Sequence, residues 1–210
     1  MKTVLCVTFA VVVIPSTLCC LPSWNGNQGQ DLCKGLDCPT FQEEYVGKNY
    51  EERLYEAANW VGTQVLGLKY DKAVSEGFHR DFDYIQGNNE AGMKIPMTVP
   101  VATRVIPGQG PACESNFTIY FFVPHDIQSN APQPTDENVF IEKFPQQRVY
   151  VRSFSGRAYE KDWLENAAQL GEDLRADNRT FVTSYYYTAG YDSPFTIFFR
   201  HNEIWFIATD

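Results

Sequence analysis

VSEGFHRDFDYIQGNNEAGMKIPMTVPV, residues Val74 to Val101, carries two incompatible periodicities back to back, and the change between them decides the fold. In the first part Val74, Phe78, Phe82 and Ile85 recur at spacings of four and three, which predicts an amphipathic helix of about four turns. Asp71 stands where an N-cap belongs and Gly87 where a left-handed stop belongs. In the second part Met93, Ile95, Met97, Val99 and Val101 alternate with Lys94, Pro96, Thr98 and Pro100, which predicts a strand. Two prolines on one face cannot donate ladder bonds, so that strand belongs at a sheet edge or carries a bulge.

Outward from this stretch, Tyr50 to Val65 suits a strand, with Val61, Thr63 and Val65 on one face. Residues 21–44 show neither period and read as an irregular arm, so that the folded domain spans 45–210. Downstream, a turn at Pro107 to Gly110 leads to a strand from Phe117 to Val123, and Pro124 to Pro134 is a loop. The same order then returns. A strand from Gln147 to Phe154 precedes a helix from Tyr159 to Ala176 with the stripe Trp163, Leu164, Ala167, Leu170 and Leu174, and strands Thr183–Thr188 and Glu203–Ala208 end the chain. Strand-helix-strand-strand thus occurs twice, as in an internal duplication whose units must pair to cover their sheets. The expected architecture is α+β, a closed or nearly closed antiparallel sheet flanked by two helices.

Residues 1–20 have the layout of a secretory signal peptide: Lys2, an apolar run from Val4 to Ile14, then Pro15 and small residues before a cleavage point near Cys20. That run is too short to span a bilayer, and no later segment approaches the roughly 18 apolar residues a membrane helix needs. The chain is therefore expected to be secreted, extracellular and without a membrane partner. Its net charge of −9 is opposite in sign to that of a nucleic-acid binder. Of its 6 cysteines, Cys33, Cys38 and Cys113 outlast cleavage in every version. Export makes disulfides the default, with Cys33 bonded to Cys38 or one of the two reaching Cys113. The CKGLDC run lacks the second Cys or His pair that a zinc site needs. Asn116 and Asn178 each open an N-glycosylation sequon.

Little of this suggests catalysis. The sequence contains no phosphate-cradling glycine loop, no G-x-S-x-G, no H-E-x-x-H and no cysteine with an evident base partner. Its 3 histidines, His79, His125 and His201, give a metal site or a Ser-His-Asp relay scant material. The chain is expected not to be an enzyme.

Six stretches, in order and at fitting intervals, resemble the SOUL haem-binding protein family: YEERLYEAANWV from Tyr50, IQGNN from Ile85, MKIPMTVPV from Met93, GPACESNFTIYFFVP from Gly110, YYYTAGYDSP from Tyr185 and RHNEIWFIA from Arg200. The resemblance implies a distorted antiparallel β-barrel with two flanking helices, built from two strand-helix-strand-strand repeats, and a non-catalytic role in binding haem or another tetrapyrrole. In one branch of the family a histidine after a YEIR motif is proposed as an axial ligand; that position here is Leu54. In another branch an arginine and a lysine are thought to face the propionates; those positions are Ser75 and Thr196. In some members a second-helix segment resembles a cell-death BH3 helix, but here Ala167 replaces its anchoring leucine.

The residues themselves point to a groove between first helix and sheet, lined by Val74, Phe78, Phe82, Met93, Ile95 and Met97, apolar enough for a flat macrocycle. His79, one position off the stripe, is the candidate axial ligand of a haem iron, and Arg80, Arg104 and Arg200 are candidate partners for propionates. The same residues also suit plain core packing. The function expected is extracellular binding or transport of haem, a porphyrin or a similar planar apolar ligand; a secreted protein-interaction module without small-molecule ligand is the alternative.

Overall fold

A computed structural model describes residues 32–110, 112–193 and 195–209. The expected signal peptide, most of the arm, and Cys6, Cys19 and Cys20 lie outside the described residues. Among these residues nine strands and two α-helices follow in the order β1 (Phe41–Val46), β2 (Glu51–Tyr55), β3 (Ala58–Gly67), α1 (Tyr70–Ile85), β4 (Val101–Ile106), β5 (Ser115–Phe122), β6 (Val139–Phe144), β7 (Gln147–Ser155), α2 (Glu160–Ala176), β8 (Tyr186–Gly190) and β9 (His201–Ile207), with a short 3-10 turn at His125–Ile127. All strands join one sheet in the order β1-β2-β7-β9-β8-β4-β5-β3-β6, every pair antiparallel.

The duplication is visible in that order. Within β3-α1-β4-β5 the strands lie β3, β5, β4, and within β7-α2-β8-β9 they lie β7, β9, β8. The two units meet where β4 pairs with β8. The strand leading into each unit pairs with the other unit, β2 with β7 and β6 with β3. Only Glu56 and Ala57 join β2 to β3, and only Pro145 and Gln146 join β6 to β7. A link of two residues spans about 10 Å at most, although five strands separate β2 from β3 in the sheet. The sheet must therefore curl until its ends approach, which gives the distorted half-barrel. At the seam Tyr55 pairs with Gln147 and Ala58 with Phe144.

Several local expectations need correction. The strand expected over Tyr50–Val65 is two strands with different partners, broken at the seam. The arm expected to be irregular contains β1, an edge strand whose side chains are mostly exposed. The β6 strand lies where the sequence reading placed no element. The stretch expected as a strand from Met93 is extended but enters the sheet only at Val101. Pro96 and Pro100 have no N–H to donate there, and the segment is held by other bonds: the Asn89 side chain grips both backbone groups of Met93, Ile95 N–H donates to Ile85 O, and Val99 N–H donates to Asp37 O. The Val99–Pro100 peptide is cis.

Helix α1 is rolled about one residue from the expected stripe. Its buried residues are Tyr70, Ala73, Gly77, Asp81, Tyr84 and Ile85. Val74 and Phe78 are only half-buried, and Phe82 is exposed. Small residues explain the roll: Ala73 and Gly77 let the helix sit directly on β5, so closely that a Cβ on Gly77 would lie 2.5 Å from Ile119 Cδ1. Close backbone approach buries more surface than a flank of large side chains held farther off. Asp71 is not the cap but stands in the first turn, where a negative charge suits the helix dipole. Helix α2 buries Trp163, Ala167, Leu170, Gly171 and Leu174, while Leu164 of the expected stripe is exposed. Both helices cover the convex face through a core that includes Val61, Ile119, Phe121, Leu170 and Ile204. A second core, rich in Tyr, Trp and Phe, fills the concave interior.

Gly77→Val is expected to force α1 off β5 and cost roughly 1–3 kcal/mol, read as a lower urea midpoint at unchanged slope. Gly190→Ala, whose new Cβ would meet nothing within 4 Å, is the control and leaves the midpoint in place.

Candidate functional site

The concave interior holds charged residues from several strands. Arg53 of β2 and Glu203 of β9 are 3% and 0% exposed and meet through two bonds, Nη1 to Oε2 at 3.2 Å and Nη2 to Oε1 at 3.1 Å. Tyr191 Oη and Trp205 Nε1 donate to the same carboxylate at 2.9 and 2.7 Å, and His201 Nε2 lies 2.7 Å from it. Burial alone would raise the Glu203 pKa, but the Arg53 guanidinium and the bonds from His201 and Trp205 outweigh it and hold the group at about 2. Arg53 also bonds Glu51 and Tyr55 and stacks over Phe41 at 4.5 Å. Across the interior Glu142 accepts from Tyr120 Oη at 2.6 Å and pairs with Arg104. These carboxylates are satisfied by their neighbours, so the interior cluster reads as framework.

Beside the seam a cavity lies among Tyr55, Trp60, Phe144, Tyr187 and Trp205. Its volume of about 20 Å³ holds one water, far below the several hundred Å³ of an ordinary ligand pocket. A macrocycle does not fit it.

The sequence-derived ligand residues occupy the outside, around α1. Phe78 and Phe82 stack with centroids 5.8 Å apart and planes 14° apart, and Phe78 meets Phe121 edge-on at 5.2 Å. Val74, Phe78, Met93 and Met97 are half-buried against the convex core, and Ile95 is buried within it. Met93 and Ile95 are fastened to the C-terminal end of α1 by Asn89 and Ile85. His79 is exposed beside Phe78, and its Nδ1 lies 2.5 Å from the Ser75 carbonyl one turn back. That oxygen can only accept, so Nδ1–H is the donor, and in the neutral ring Nε2 is the nitrogen with the lone pair. Of the candidate cations only Arg80 stands on α1, paired with Glu76 at 2.6 Å. Arg104 is inside the barrel, and Arg200 is bound to loop carbonyls. Beneath this face Asp81 is fully buried with neither carboxylate oxygen hydrogen-bonded, and burial pushes its pKa well above the usual carboxylate range.

Cys33 bonds Cys38, which settles the open pairing, and Cys113 is free and exposed. Cys33 is buried in the interior core, so the loop 33–38 lies across one end of the barrel. Among the described residues no three His, Cys, Asp or Glu side chains are grouped to hold a metal ion, and no helix is long and apolar enough to cross a membrane. His125 is exposed, with Nε2 3.0 Å from Cys38 O. Asn178 is exposed just past α2 at φ 55°, whereas Asn116 is half-buried in β5, paired on both sides, with Oδ1 buried.

The SOUL heme-binding protein family matches residues 36–207. Heme-binding protein 2 of Homo sapiens is 43% identical over 159 residues, covering 76% of this chain and 78% of that protein. Heme-binding protein 2 of Mus musculus is 38% identical over 187 residues, covering 89% and 85%, and heme-binding protein 1 of Mus musculus is 33% identical, covering 76% and 84%. Among solved structures the EcmrR C-terminal domain superposes with a TM-score of 0.59 at 11% identity, over 81% of this chain and 98% of that domain. This last likeness shows the fold alone.

The Glu203 cluster has a measurable signature. Its folded pKa lies below the ordinary 4.5, so the stability it supplies is complete above about pH 4.5 and is lost as pH falls toward about 2. Urea unfolding across that range is expected to show the slope. Glu203→Gln flattens it and, by leaving Arg53 buried without a counter-charge, costs roughly 3–5 kcal/mol at pH 7.

Proposed function

This chain belongs to the SOUL heme-binding protein family, and on that footing we propose that it is a non-catalytic extracellular carrier of haem or a related tetrapyrrole. The observation that carries the reading is the 43% identity, over most of both chains, to a protein named for heme binding. A site on the outside is supported by an interior filled with rings and an ion-pair cluster. The face offered is the Phe78–Phe82 stack with His79 beside it and Met93 and Met97 packed on the same core.

The residues fit such a ligand. A histidine whose Nδ1–H is tied to a carbonyl is fixed in tautomer and ring orientation, the arrangement that imidazole ligands to metals generally have. His79 meets this condition through Ser75 and leaves Nε2 facing outward as a donor to iron. Phe78 and Phe82 supply a flat apolar surface that excludes water from one side of the ring system. Arg80, one residue after His79 on the same helix, is a cation for a propionate, in exchange for its exposed partner Glu76. The bound group itself supplies the iron and the conjugated ring; the protein binds and orients it.

Export is supported by the N-terminal sequence pattern and by the Cys33–Cys38 bond, which an oxidising compartment favours. In that compartment Asn178 is the acceptor for N-linked glycan and Asn116 is not, since one is exposed in a left-handed turn and the other is fixed within the sheet.

Hemin titration of the purified protein is expected to be saturable at one to one, and linear uptake would argue for a protein-interaction role instead. His79→Ala is expected to shift the Soret band and weaken hemin binding about tenfold, about 1.4 kcal/mol. The same change at His125 or His201 leaves the spectrum alone. An unchanged Soret band in His79→Ala removes the ligand assignment while leaving haem binding in place. For the glycan, secretion from animal cells should give a product that loses mass on peptide-N-glycosidase treatment. Asn178→Gln abolishes that loss and Asn116→Gln does not.

A further inference from the structure

The β4–β8 pairing, where the two repeated units meet, ends at Val101 and Gly190. Just beyond that end Val99 leads into β4 and Asp192 leads out of β8. The ring closed by Cys33 and Cys38 holds both sides. Asp37 O accepts Val99 N–H at 3.0 Å, and Lys34 Nζ pairs with the Asp192 carboxylate. Asp37 Oδ2 also accepts His125 N–H at 3.0 Å, from the turn that follows β5, and Asp192 accepts His201 N–H at 2.7 Å, at the start of β9. Val99 and His125 adjoin strands of the first unit, Asp192 and His201 those of the second, so one small ring grips both. Cys33 itself is buried in the interior core together with Val99, Ala102, Ala189 and Tyr191.

The shape of the ring depends on its closure. Lys34 at φ 52° and Gly35 at φ 79° both take the left-handed region, and Leu36 N–H donates across them to Cys33 O at 2.9 Å. Glycine adopts this conformation freely, but a lysine does so rarely and only where its surroundings hold it there. What holds Lys34 is the disulfide bracketing the turn and the Asp192 carboxylate, whose side chain is 2% exposed. With the bond cut, the turn relaxes to ordinary backbone and carries Lys34 away from Asp192. A buried carboxylate left without its cation is costly, so the end of β8 loosens on one side while Val99 loses Asp37 on the other.

The ring also stands where a reductant meets it: residues 34–37 are exposed and Cys38 is half-buried, so Cys38 is the side that a thiolate reaches. We propose that the Cys33–Cys38 ring is a reducible clasp across the β4–β8 junction, locking the two units together in an oxidising compartment and releasing that end of the barrel where a dithiol reductant is present. In the opening step a thiolate of the reductant attacks the Cys38 sulfur, the S–S bond breaks and Cys33 leaves as a thiolate. The second thiol of the reductant, deprotonated, then displaces Cys38 from the mixed disulfide. The reductant ends as a disulfide, having given two electrons, and its two protons finish on Cys33 and Cys38. The clasp operates whether or not α1 carries haem.

The test is amide hydrogen exchange of the full chain, followed by mass spectrometry before and after treatment with dithiothreitol. Peptides covering 95–103 and 188–203 are expected to exchange about fivefold faster once the protein is reduced, by local opening. Peptides from the β2–β7 pairing, around Glu51 and Val151, keep their rates. Cys33→Ser with Cys38→Ser is expected to reproduce the change without reductant, and Cys113→Ser to leave the response intact. Lys34→Met, with the disulfide in place, is expected to speed exchange over 188–203 and not over 95–103. The proposal is overturned if reduction leaves both junction peptides as they were, or if exchange rises equally in the β2–β7 peptides, which is general loosening and not a clasp. Unchanged exchange over 188–203 in Lys34→Met also overturns it, as does a response to reductant that Cys113→Ser abolishes.

Discussion

Two very short links shape the molecule. Glu56–Ala57 and Pro145–Gln146 each join strands that lie at opposite ends of a nine-stranded sheet, and no flat sheet permits that. Curvature follows from chain length alone. The concave face then closes on whatever side chains point inward, and those are chiefly aromatic rings together with Arg53, Arg104, Glu142 and Glu203. The Arg53–Glu203 pair reaches across β7, which lies between β2 and β9 in the sheet, on the concave face. Apolar packing of equal volume often serves as well energetically, whereas removing one partner of such a pair is costly.

Once the interior is filled, the convex side and the loops are left for function. Helix α1 covers the convex side in an unusual division of labour. Its small residues Ala73 and Gly77 make the close contact with β5, and its large ones Val74, Phe78 and Phe82 stay on the flank. A helix seated by its small residues leaves rings over, and those rings form the candidate ligand face. Asp81, buried without partners, is a cost of the same seating: the roll that exposes Phe82 turns the neighbouring carboxyl inward.

Much of the architecture was legible in the sequence, because periodicity reports burial. Both helices, β5, β7, β8 and β9 stand close to where alternation or a 3.6-residue stripe placed them, whereas the alternation from Met93 to Val101 ends where β4 begins. β1 escaped notice because FQEEYV is an edge strand with little to bury, and β6 because its six residues sit between loop-forming stretches. The helix face was misread by one position, since pattern rewards large apolar residues while close packing rewards small ones. Glu203 and Arg53 were invisible as interior residues, because charge in a strand ordinarily signals the solvent face. For the candidate site, the neighbourhood of Phe78 and His79 could be read from spacing, but the tie from His79 to Ser75 requires the folded helix. The exposure of Phe195, Ile197, Phe198 and Phe199 is visible only in the structure.

The near-absence of free volume beside the seam bears on kinetics. A carrier with a closed chamber must open to load, so its exchange is tied to slow breathing of the whole sheet. A cavity with space for a single water is no such chamber. Any cargo on its outer face arrives and departs at the pace of surface encounter, which favours quick hand-over between donors and acceptors over long storage.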